Sequence, residues 1–390
     1  MQFAHRLAPL QTNVFADMDR AKGRARAAGK QVIDLSLGSS DLPTPPHVLA
    51  AIAQALQDPA THGYNLFEST RAFRQAAARW YEQKFGLAVD PETEVLPLIG
   101  SQEGTAHLPL ALLNPGDFAL LTDPCYPSHA GGVHLASGQI YSMPLVAEQQ
   151  FLPVFSDIPQ AVADQARLMV LSYPHNPTTA VATPEFFAEA VSFCQANGIV
   201  LAHDFPYADH CFSGQVAPSA LRADPDKTCT IEFFSFSKSY NMGGFRIAYA
   251  IGNREIILAL RQVKAAVDFN QYQGILRGAI AALTGPQDTV SATLNTFRER
   301  RDAMVDTLAA HGWQVDRPEA TMYLWTRLPE RFSQDSIQFC VDLVEATGVA
   351  LAPGRGFGKS GEGYVRFALV HSVPVLETAA RRVAEFIHKA

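Results

Sequence analysis

The sequence predicts an α/β protein in which a mostly parallel sheet, flanked by helices, is followed by a smaller α+β domain. Two observations lead to this prediction. From about residue 95 to 285, short β-rich runs alternate with helical stretches, and several runs are almost continuously apolar, as in strands buried on both faces. From about Asp288, this alternation gives way to a long charged helix and a few separated strands.

Six strands are predicted in the first region. In chain order they are residues 95–99, 118–121, 167–171, 199–202, 230–236 and 246–251. Between the third and the fourth, Thr183 can cap a helix, and Pro184 and Glu185 suit its first turn. The Asn197-Gly198 pair is typical of a helix end. Such alternation favours a parallel sheet.

The rest of the chain is predicted to form a smaller unit. Its expected elements are a helix at 289–311, a strand at 322–326, a further helix, a strand at 364–370 and a helix at 374–389. The N-terminal segment carries a helix and a β-rich run at 32–37. The expected division is residues 1–45 packing with the small domain, 46–287 as the large domain and 288–390 as the small domain.

Composition and charge exclude several classes of protein. The 390 residues include 47% hydrophobic and 18% charged residues, which is a globular balance and not that of a disordered chain. The 31 Lys+Arg and 38 Asp+Glu give a net charge of −7 without runs of basic residues. Such a chain is a poor nucleic-acid binder.

The sequence also indicates where the protein resides. No apolar run approaches the roughly 18 residues of a membrane helix, and no signal peptide is expected at the start of the chain. The five cysteines are scattered and form no CxxC pair, and the histidines show no metal spacing. We therefore expect a cytoplasmic protein without a membrane partner, a disulfide framework or a bound metal.

The most informative stretch is residues 235–246, Ser-Phe-Ser-Lys-Ser-Tyr-Asn-Met-Gly-Gly-Phe-Arg. If the strand continues to residue 236, Ser235 and Ser237 share one face, just before Lys238. Arg246 follows beyond a Gly-Gly turn. Two hydroxyls and a guanidinium beside one lysine would form a cup for a phosphate dianion. An isolated lysine is usually a solvated surface residue, but this pattern favours a Schiff-base lysine.

This segment resembles the lysine signature of class I/II aminotransferases, which are fold-type I enzymes that use pyridoxal 5′-phosphate (PLP). The resemblance extends over nearly the whole chain. It implies a large domain with a mostly parallel seven-stranded sheet and an active site between the large and small domains. It also implies that Lys238 forms the Schiff base with PLP, and that Ser235, Ser237 and Arg246 bind the phosphate.

His203-Asp204-Phe205-Pro206-Tyr207 follows an apolar strand. A carboxylate at the carboxyl end of a central strand lies where α/β sheets bind ligands, although Asp204 alone also fits a helix cap or turn. The resemblance implies that Asp204 pairs with the pyridine nitrogen of PLP, and that Tyr207 donates to its phenolic oxygen. Phe205 replaces an acidic residue that is usual in the family, which suggests a more apolar flank.

Three further loops match the family. Asn176, in an Asn-Pro-Thr turn, corresponds to the residue that contacts the phenolic oxygen and the substrate, with Thr179 in place of the usual glycine. Ser101 and Gln102 open a helix after a strand, where free N–H groups would bind the phosphate. Tyr126, which could otherwise be a core residue, corresponds to the aromatic residue that stacks on the cofactor ring.

Arg366 is a charge inside an otherwise apolar strand, and a buried charge needs a partner. The resemblance implies that Arg366 binds the substrate α-carboxylate, beside Gly38. Tyr64 corresponds to a tyrosine that reaches the phosphate of the neighbouring subunit. A homodimer with shared active sites is therefore expected.

Other motifs are weaker. Residues 235–238 formally match the S-x-x-K of serine acyl-transferases, but the accompanying motifs are misplaced. Residues 354–360 mimic a P-loop with one residue too few, so a surface loop is expected there. A non-enzymatic ligand-binding domain of transcription regulators has the same fold, but it would need an added DNA-binding module.

The predicted reaction is transamination between an L-amino acid and a 2-oxo acid by a ping-pong mechanism. Glutamate and 2-oxoglutarate are the favoured pair, with LL-diaminopimelate, alanine or aspartate as the other substrate, because the segments at residues 233–242 and 320–325 resemble that branch of the family. A PLP-dependent C–S β-lyase remains an alternative, since it would use the same residues. Arg71, Lys264 and Arg277 are candidates for a distal carboxylate, although each also fits a solvated face.

Overall fold

The computed structural model describes residues 3–10 and 14–389. Its strands are, in chain order, β1 (Ile33–Asp34), β2 (Val95–Leu98), β3 (Phe118–Asp123), β4 (Gln139–Pro144), β5 (Ala166–Leu171), β6 (Val200–Asp204), β7 (Thr230–Ser235), β8 (Ala248–Gly252), β9 (Tyr323–Arg327), β10 (Val349–Ala350), β11 (Ala352–Pro353) and β12 (Tyr364–Ala368).

Its α-helices are α1 (Val14–Ala27), α2 (Pro46–Leu56), α3 (Arg71–Phe85), α4 (Ser101–Leu112), α5 (Pro127–Leu135), α6 (Gln160–Ala163), α7 (Pro184–Asn197), α8 (Phe236–Ser239), α9 (Arg254–Val267), α10 (Gln273–Thr284), α11 (Asp288–Ala310), α12 (Ser336–Thr347) and α13 (Val373–Lys389). Helix α7 begins where the sequence predicts, because the Thr183 side chain accepts a hydrogen bond from the Phe186 N–H.

The large sheet has seven strands in the order β2-β8-β7-β6-β5-β3-β4. Only β8 is antiparallel to its neighbours, β2 and β7. Apolar clusters cover both faces of this sheet. Phe233 packs on one face with Leu108 and Ile257, and Phe234 packs on the other with Phe73. The mostly parallel α/β sheet is confirmed, and its burial on both faces explains the apolar runs in the sequence.

The sequence misses one strand of the large sheet, β4. It lies at the sheet edge, and only Met143 among its residues is buried. An edge strand with one covered side chain carries no apolar run, so hydrophobic periodicity does not reveal it.

The smaller sheet is antiparallel, in the order β11-β12-β9. Its core includes Leu324 and Phe367 from the strands, Phe297 from α11, Leu343 from α12 and Val383 from α13. The N-terminal segment joins this part of the molecule: β1 pairs in parallel with β10, and α1 contacts α12.

The loop predicted near residues 354–360 is less exposed than expected. Residues 354–361 form two short 3₁₀ turns that dock on the loop after β3, and Phe357 is buried. The Cys125 N–H donates to the Phe357 carbonyl at 2.9 Å, and the Ser360 N–H donates to Asp123 at 3.1 Å. The predicted loop therefore keeps Arg355 and Lys359 exposed at the surface, while its buried part joins the two sheets.

Candidate active site

The site lies along one edge of the large sheet. Strands β2, β3, β5, β6 and β7 all end at this edge, because they run in the same direction. The reversed strand β8 begins there. Carboxyl ends of parallel strands are where open α/β sheets bind ligands. The segments that directly follow these strands, whether loops or helix starts, carry Ser101, Tyr126, Asn176, Tyr207 and Lys238.

Lys238 lies on α8, the single helical turn that follows β7. Its Nζ donates a hydrogen bond to the Gly38 carbonyl and lies 6.0 Å from the centre of the Tyr207 ring. Burial lowers the pKa of Lys238, and the positive charges of Arg366 and Arg246 lower it further, although Tyr323 acts in the opposite direction. The amine is therefore more readily neutral than a surface lysine.

Gly38 is a close-approach position. A Cβ there would lie only 1.9 Å from the Tyr323 hydroxyl oxygen, so a larger residue would displace that side chain. The absence of a side chain lets the N-terminal segment pass directly over Tyr323 and present its carbonyl to Lys238.

Asp204 is the last residue of β6 and is buried. Its Oδ2 lies 3.0 Å from Nε2 of His129, on α5. Within the described residues its Oδ1 has no hydrogen-bond partner. A buried, unsatisfied carboxylate oxygen is costly, so its presence indicates a ligand with a donor group.

Tyr207 and Tyr323 form a buried pair. The Tyr207 hydroxyl donates to the Tyr323 hydroxyl at 2.8 Å. Burial and the neighbouring Tyr323 raise the pKa of Tyr207 well above its usual value. Burial alone would also raise the pKa of Tyr323, but the charges of Arg366 and Lys238 hold it below the usual value.

Arg366 is 4% exposed and, among the described residues, forms no ion pair with a carboxylate. One terminal nitrogen donates to Asn176 Oδ1 at 2.7 Å and the other to the Ser36 carbonyl at 2.9 Å. The guanidinium lies 4.1 Å from the Tyr323 ring and 4.6 Å from the Phe357 ring. A buried cation held only by neutral groups fits an anionic ligand.

A second anion cradle lies at the start of α4. Gly100 precedes this helix, and a Cβ on it would lie 2.4 Å from an Arg246 terminal nitrogen. Ser101 and Gln102 are the first helical residues, so their N–H groups are free of helical partners. The predicted Ser101, Gln102 and Arg246 therefore come together.

Two details around Lys238 differ from the predicted strand. Strand β7 ends at Ser235, whose hydroxyl accepts from the Ser237 N–H at 3.2 Å and caps α8. Ser237 is thus helical and does not share a strand face with Ser235. Arg246 precedes β8 in a left-handed conformation with φ of 53°, instead of lying inside the strand.

Tyr126 and Tyr64 differ sharply in burial. The Tyr126 ring lies 5.9 Å from the His129 ring, and burial raises the pKa of Tyr126. Tyr64 is 93% exposed, so the fold of one chain does not bring its side chain into this site.

The three candidates for a distal carboxylate have other partners. Arg71 pairs with Glu92, and Arg277 pairs with Asp58. Lys264 is fully buried and its Nζ lies 2.8 Å from Glu103. The solvated-face interpretation of Lys264 was wrong, because this lysine forms an internal ion pair beneath α4.

Sequence reasoning missed two residues of the site, His129 and Tyr323. His129 lies three positions after Tyr126, and Tyr323 begins β9. Their partners Asp204 and Tyr207 are 75 and 116 residues away in sequence. The available signal was only a polar side chain within an apolar stretch, such as Met322-Tyr323-Leu324.

A buried amine, a buried carboxylate oxygen without a partner and a buried guanidinium held only by neutral groups lie at this edge of the α/β sheet, and this arrangement fits an enzyme that moves amino groups between amino acids and 2-oxo acids. Comparison with known proteins agrees. The family described as aminotransferase class I and II matches residues 30–383. The chain belongs to this family and is a transaminase that acts on amino acid and 2-oxo acid substrates. The lyase and the non-enzymatic domain are not favoured.

Three similar proteins extend this result. The chain is 42% identical over 390 residues to an LL-diaminopimelate aminotransferase of Dehalococcoides mccartyi, with 100% of both chains covered. A probable N-succinyldiaminopimelate aminotransferase from Thermus thermophilus superposes with a TM-score of 0.90 at 45% identity, covering 95% of this chain and 99% of that one. Substrate-bound BacF from Bacillus subtilis gives a TM-score of 0.93 at 35% identity, covering 99% and 98%.

Among the helices of the described residues, none is both long and apolar enough to cross a membrane.

Proposed function

We propose that this transaminase uses PLP and that the cofactor is held by the predicted residues. The observation that carries this proposal is Asp204 Oδ1, a buried carboxylate oxygen without a partner in the described chain. It fits the protonated ring nitrogen of PLP, and the amine of Lys238 fits the aldehyde. Tyr207 and Asn176 would contact the phenolic oxygen, and Tyr126 would cover the ring.

The phosphate would lie at the start of α4. Arg246 supplies a guanidinium beside Gly100, and the first N–H groups of α4 face the same space. Ser235 and Ser237 lie at the neighbouring start of α8 and would add hydroxyl donors.

Each remaining group has a role in the proposed reaction. PLP, when bound, supplies an electron sink for the α-carbon of the substrate. Arg366 binds the α-carboxylate, with Gly38 leaving space beside it. Lys238, whose pKa burial lowers, would act as the base that removes the α-proton and later returns it. Asp204 keeps the proton on the ring nitrogen.

For substrates, we propose glutamate and 2-oxoglutarate together with a diaminopimelate. The curated relative named LL-diaminopimelate aminotransferase supports LL-diaminopimelate and its cyclic oxo-acid counterpart, tetrahydrodipicolinate. The Thermus thermophilus neighbour, at 45% identity, supports N-succinyldiaminopimelate as a second candidate. Alanine and aspartate are the alternatives to be tested.

We further propose a cytoplasmic homodimer. The 93% exposure of Tyr64 supports a role outside its own subunit, namely contact with the phosphate of the neighbouring site. We also propose the division into residues 1–45, 46–287 and 288–390. The pairing of β1 with β10 supports the association of the first part with the last.

The test is a visible spectrum of the purified protein incubated with PLP. A band that bleaches with L-glutamate and returns with 2-oxoglutarate is expected. Lys238→Ala should abolish the cycle, whereas Lys227→Ala, at a lysine paired with Glu94, should leave it intact. Absence of a band in the unsubstituted chain would contradict the proposal.

The same assay ranks the second substrates. After 2-oxoglutarate has restored the band, LL-diaminopimelate or N-succinyl-LL-diaminopimelate is expected to bleach it fastest, and alanine or aspartate more slowly. Pyruvate release from cystathionine, without a glutamate cycle, would instead support the β-lyase.

A further inference from the structure

Tyr323 occupies a central position in the site, yet none of the proposed roles uses it. It is 2% exposed and begins β9, so the smaller sheet contributes it. Its hydroxyl accepts a hydrogen bond of 2.8 Å from the Tyr207 hydroxyl. It also lies where a Cβ of Gly38 would be, and its ring covers the Arg366 guanidinium at 4.1 Å. One side chain therefore contacts both a proposed cofactor ligand and the proposed carboxylate receptor.

The charged and titratable groups around Tyr323 come from four elements. Arg366 on β12 and Lys238 on α8 are cations, and both favour its ionised form. Tyr207, in the loop after β6, is the hydrogen-bond partner. Tyr126, before α5, is close enough to interact electrostatically. A change in the charge at Arg366 should therefore alter the ionisation of the Tyr323 hydroxyl.

The protons of the pair can be counted. Tyr207 has one hydroxyl proton, and it is directed toward Tyr323. If Tyr207 donates to the phenolic oxygen of PLP, that proton is no longer available to Tyr323. The proton of Tyr323 must then form the bond between the two tyrosines, with Tyr207 as the acceptor. A hydroxyl that accepts one hydrogen bond donates another more strongly.

We propose that Tyr323 is a positioning residue that donates to Tyr207 in the loaded enzyme and thereby links the occupancy of Arg366 to the hydrogen bond between Tyr207 and the cofactor. This inference rests on the proposed function. An empty Arg366 makes Tyr323 a stronger donor. A bound carboxylate neutralises Arg366, weakens the donation through both tyrosines and makes the cofactor easier to protonate.

The first test needs no cofactor. The phenolate absorption of the chain, followed with pH, should show one of its 11 tyrosines ionising before the others. Tyr323→Phe should remove this early phase, and Arg366→Gln should move it to higher pH. Tyr173→Phe is the matched control, because Tyr173 is equally buried and its hydroxyl also makes a 2.8 Å bond, to the Phe151 carbonyl. An early phase that is absent, or that survives Tyr323→Phe, would overturn the inference.

The second test uses the chain incubated with PLP. In Tyr323→Phe, the pH midpoint of the visible band should rise by up to about 0.5 unit, because the lost bond reinforces the donation from Tyr207 to the cofactor. In the unsubstituted chain, succinate, a dicarboxylate that can occupy Arg366, should raise this midpoint further, and in Tyr323→Phe that rise should be smaller. Turnover should fall about 3- to 10-fold while KM changes less, because the ring over Arg366 remains.

The outcomes separate the two claims. If the unsubstituted chain gives no visible band, the proposed function fails. If it gives a band, but Tyr323→Phe has the same midpoint and the same succinate shift as Tyr173→Phe, then Tyr323 is only a structural residue and this inference fails.

Discussion

Replacing Gly38 by alanine tests how closely the N-terminal segment packs on Tyr323. The new Cβ would lie 1.9 Å from the Tyr323 oxygen and 2.8 Å from the adjacent ring carbon, whereas ordinary contacts begin at 3.4 Å. The hydroxyl or the segment must therefore move by at least about 1.5 Å. Overpacking of this kind costs about 1–3 kcal/mol, and loss of the bond to Tyr207 adds about 1 kcal/mol.

Activity should fall as well, because the displaced segment carries the carbonyl that binds Lys238. A shift of about 1 Å in a positioned group can reduce turnover about 100-fold. The assays are urea unfolding of the chain and steady-state transamination. Gly23→Ala is the control, since a Cβ at Gly23 meets nothing within 4 Å.

A double variant identifies the atom responsible. In Gly38→Ala combined with Tyr323→Phe, the oxygen at 1.9 Å is absent and the nearest ring carbon is at 2.8 Å. The double variant should therefore be less destabilised than the sum of the two single variants by about 1 kcal/mol. Strict additivity would refute the reasoning, because the clash would then lie elsewhere.

Three further predictions concern stability. His210 is fully buried, and burial with the charges of Lys238 and Lys84 lowers its pKa from 6.5 to about 3. Between these two pKa values the unfolded chain binds one more proton than the folded chain. The contribution of His210 to the free energy of unfolding is therefore fully present above about pH 6.5 and is reduced by about 2 kcal/mol at pH 5. In urea unfolding at several pH values, His210→Phe should flatten this pH dependence. Lys264→Met should lower the free energy of unfolding by about 3–5 kcal/mol, because it leaves Glu103 buried without its lysine partner. Adding Glu103→Gln should recover part of this loss in thermal unfolding, and simple addition of the two single effects would contradict the prediction. Thr179 has φ of 65°, so Thr179→Gly should raise the free energy of unfolding by about 0.5–1 kcal/mol, whereas Thr179→Ala should bring no gain.

The fold could be predicted where local sequence and burial agree. Strand β6 is almost entirely buried, so its apolar run identified it. Thr183 capped its helix as expected, because capping is a contact between residues three apart. By contrast, β4 is mostly exposed, and Arg246 adopts a left-handed conformation before its strand. Neither property is encoded in hydrophobic periodicity.

The site could be predicted only as far as motifs extend. Lys238, Asp204 and Arg366 could be proposed from the sequence because each lies in a short, characteristic segment, and the fold brings all three to the candidate site. The partner of Asp204, His129, and the partner of Tyr207, Tyr323, were missed because only the folded chain brings them together. The role of Lys264 was misjudged for the same reason, since its partner Glu103 is 161 residues away.

The pairing of β1 with β10 has a consequence for the order of events during synthesis. Ile33 leaves the ribosome early, but its partner Val349 follows more than 300 residues later. The Ser36 carbonyl likewise lacks its hydrogen-bond donor until Arg366 has been synthesised. Because chains emerge from the N-terminus, the large sheet, with Lys238 beside it to bind the Gly38 carbonyl, is complete well before β10 and Arg366 have been synthesised. A nascent chain could thus fold around the lysine side of the candidate site while Arg366, the proposed carboxylate receptor, does not yet exist, and the complete site forms only at the end of translation.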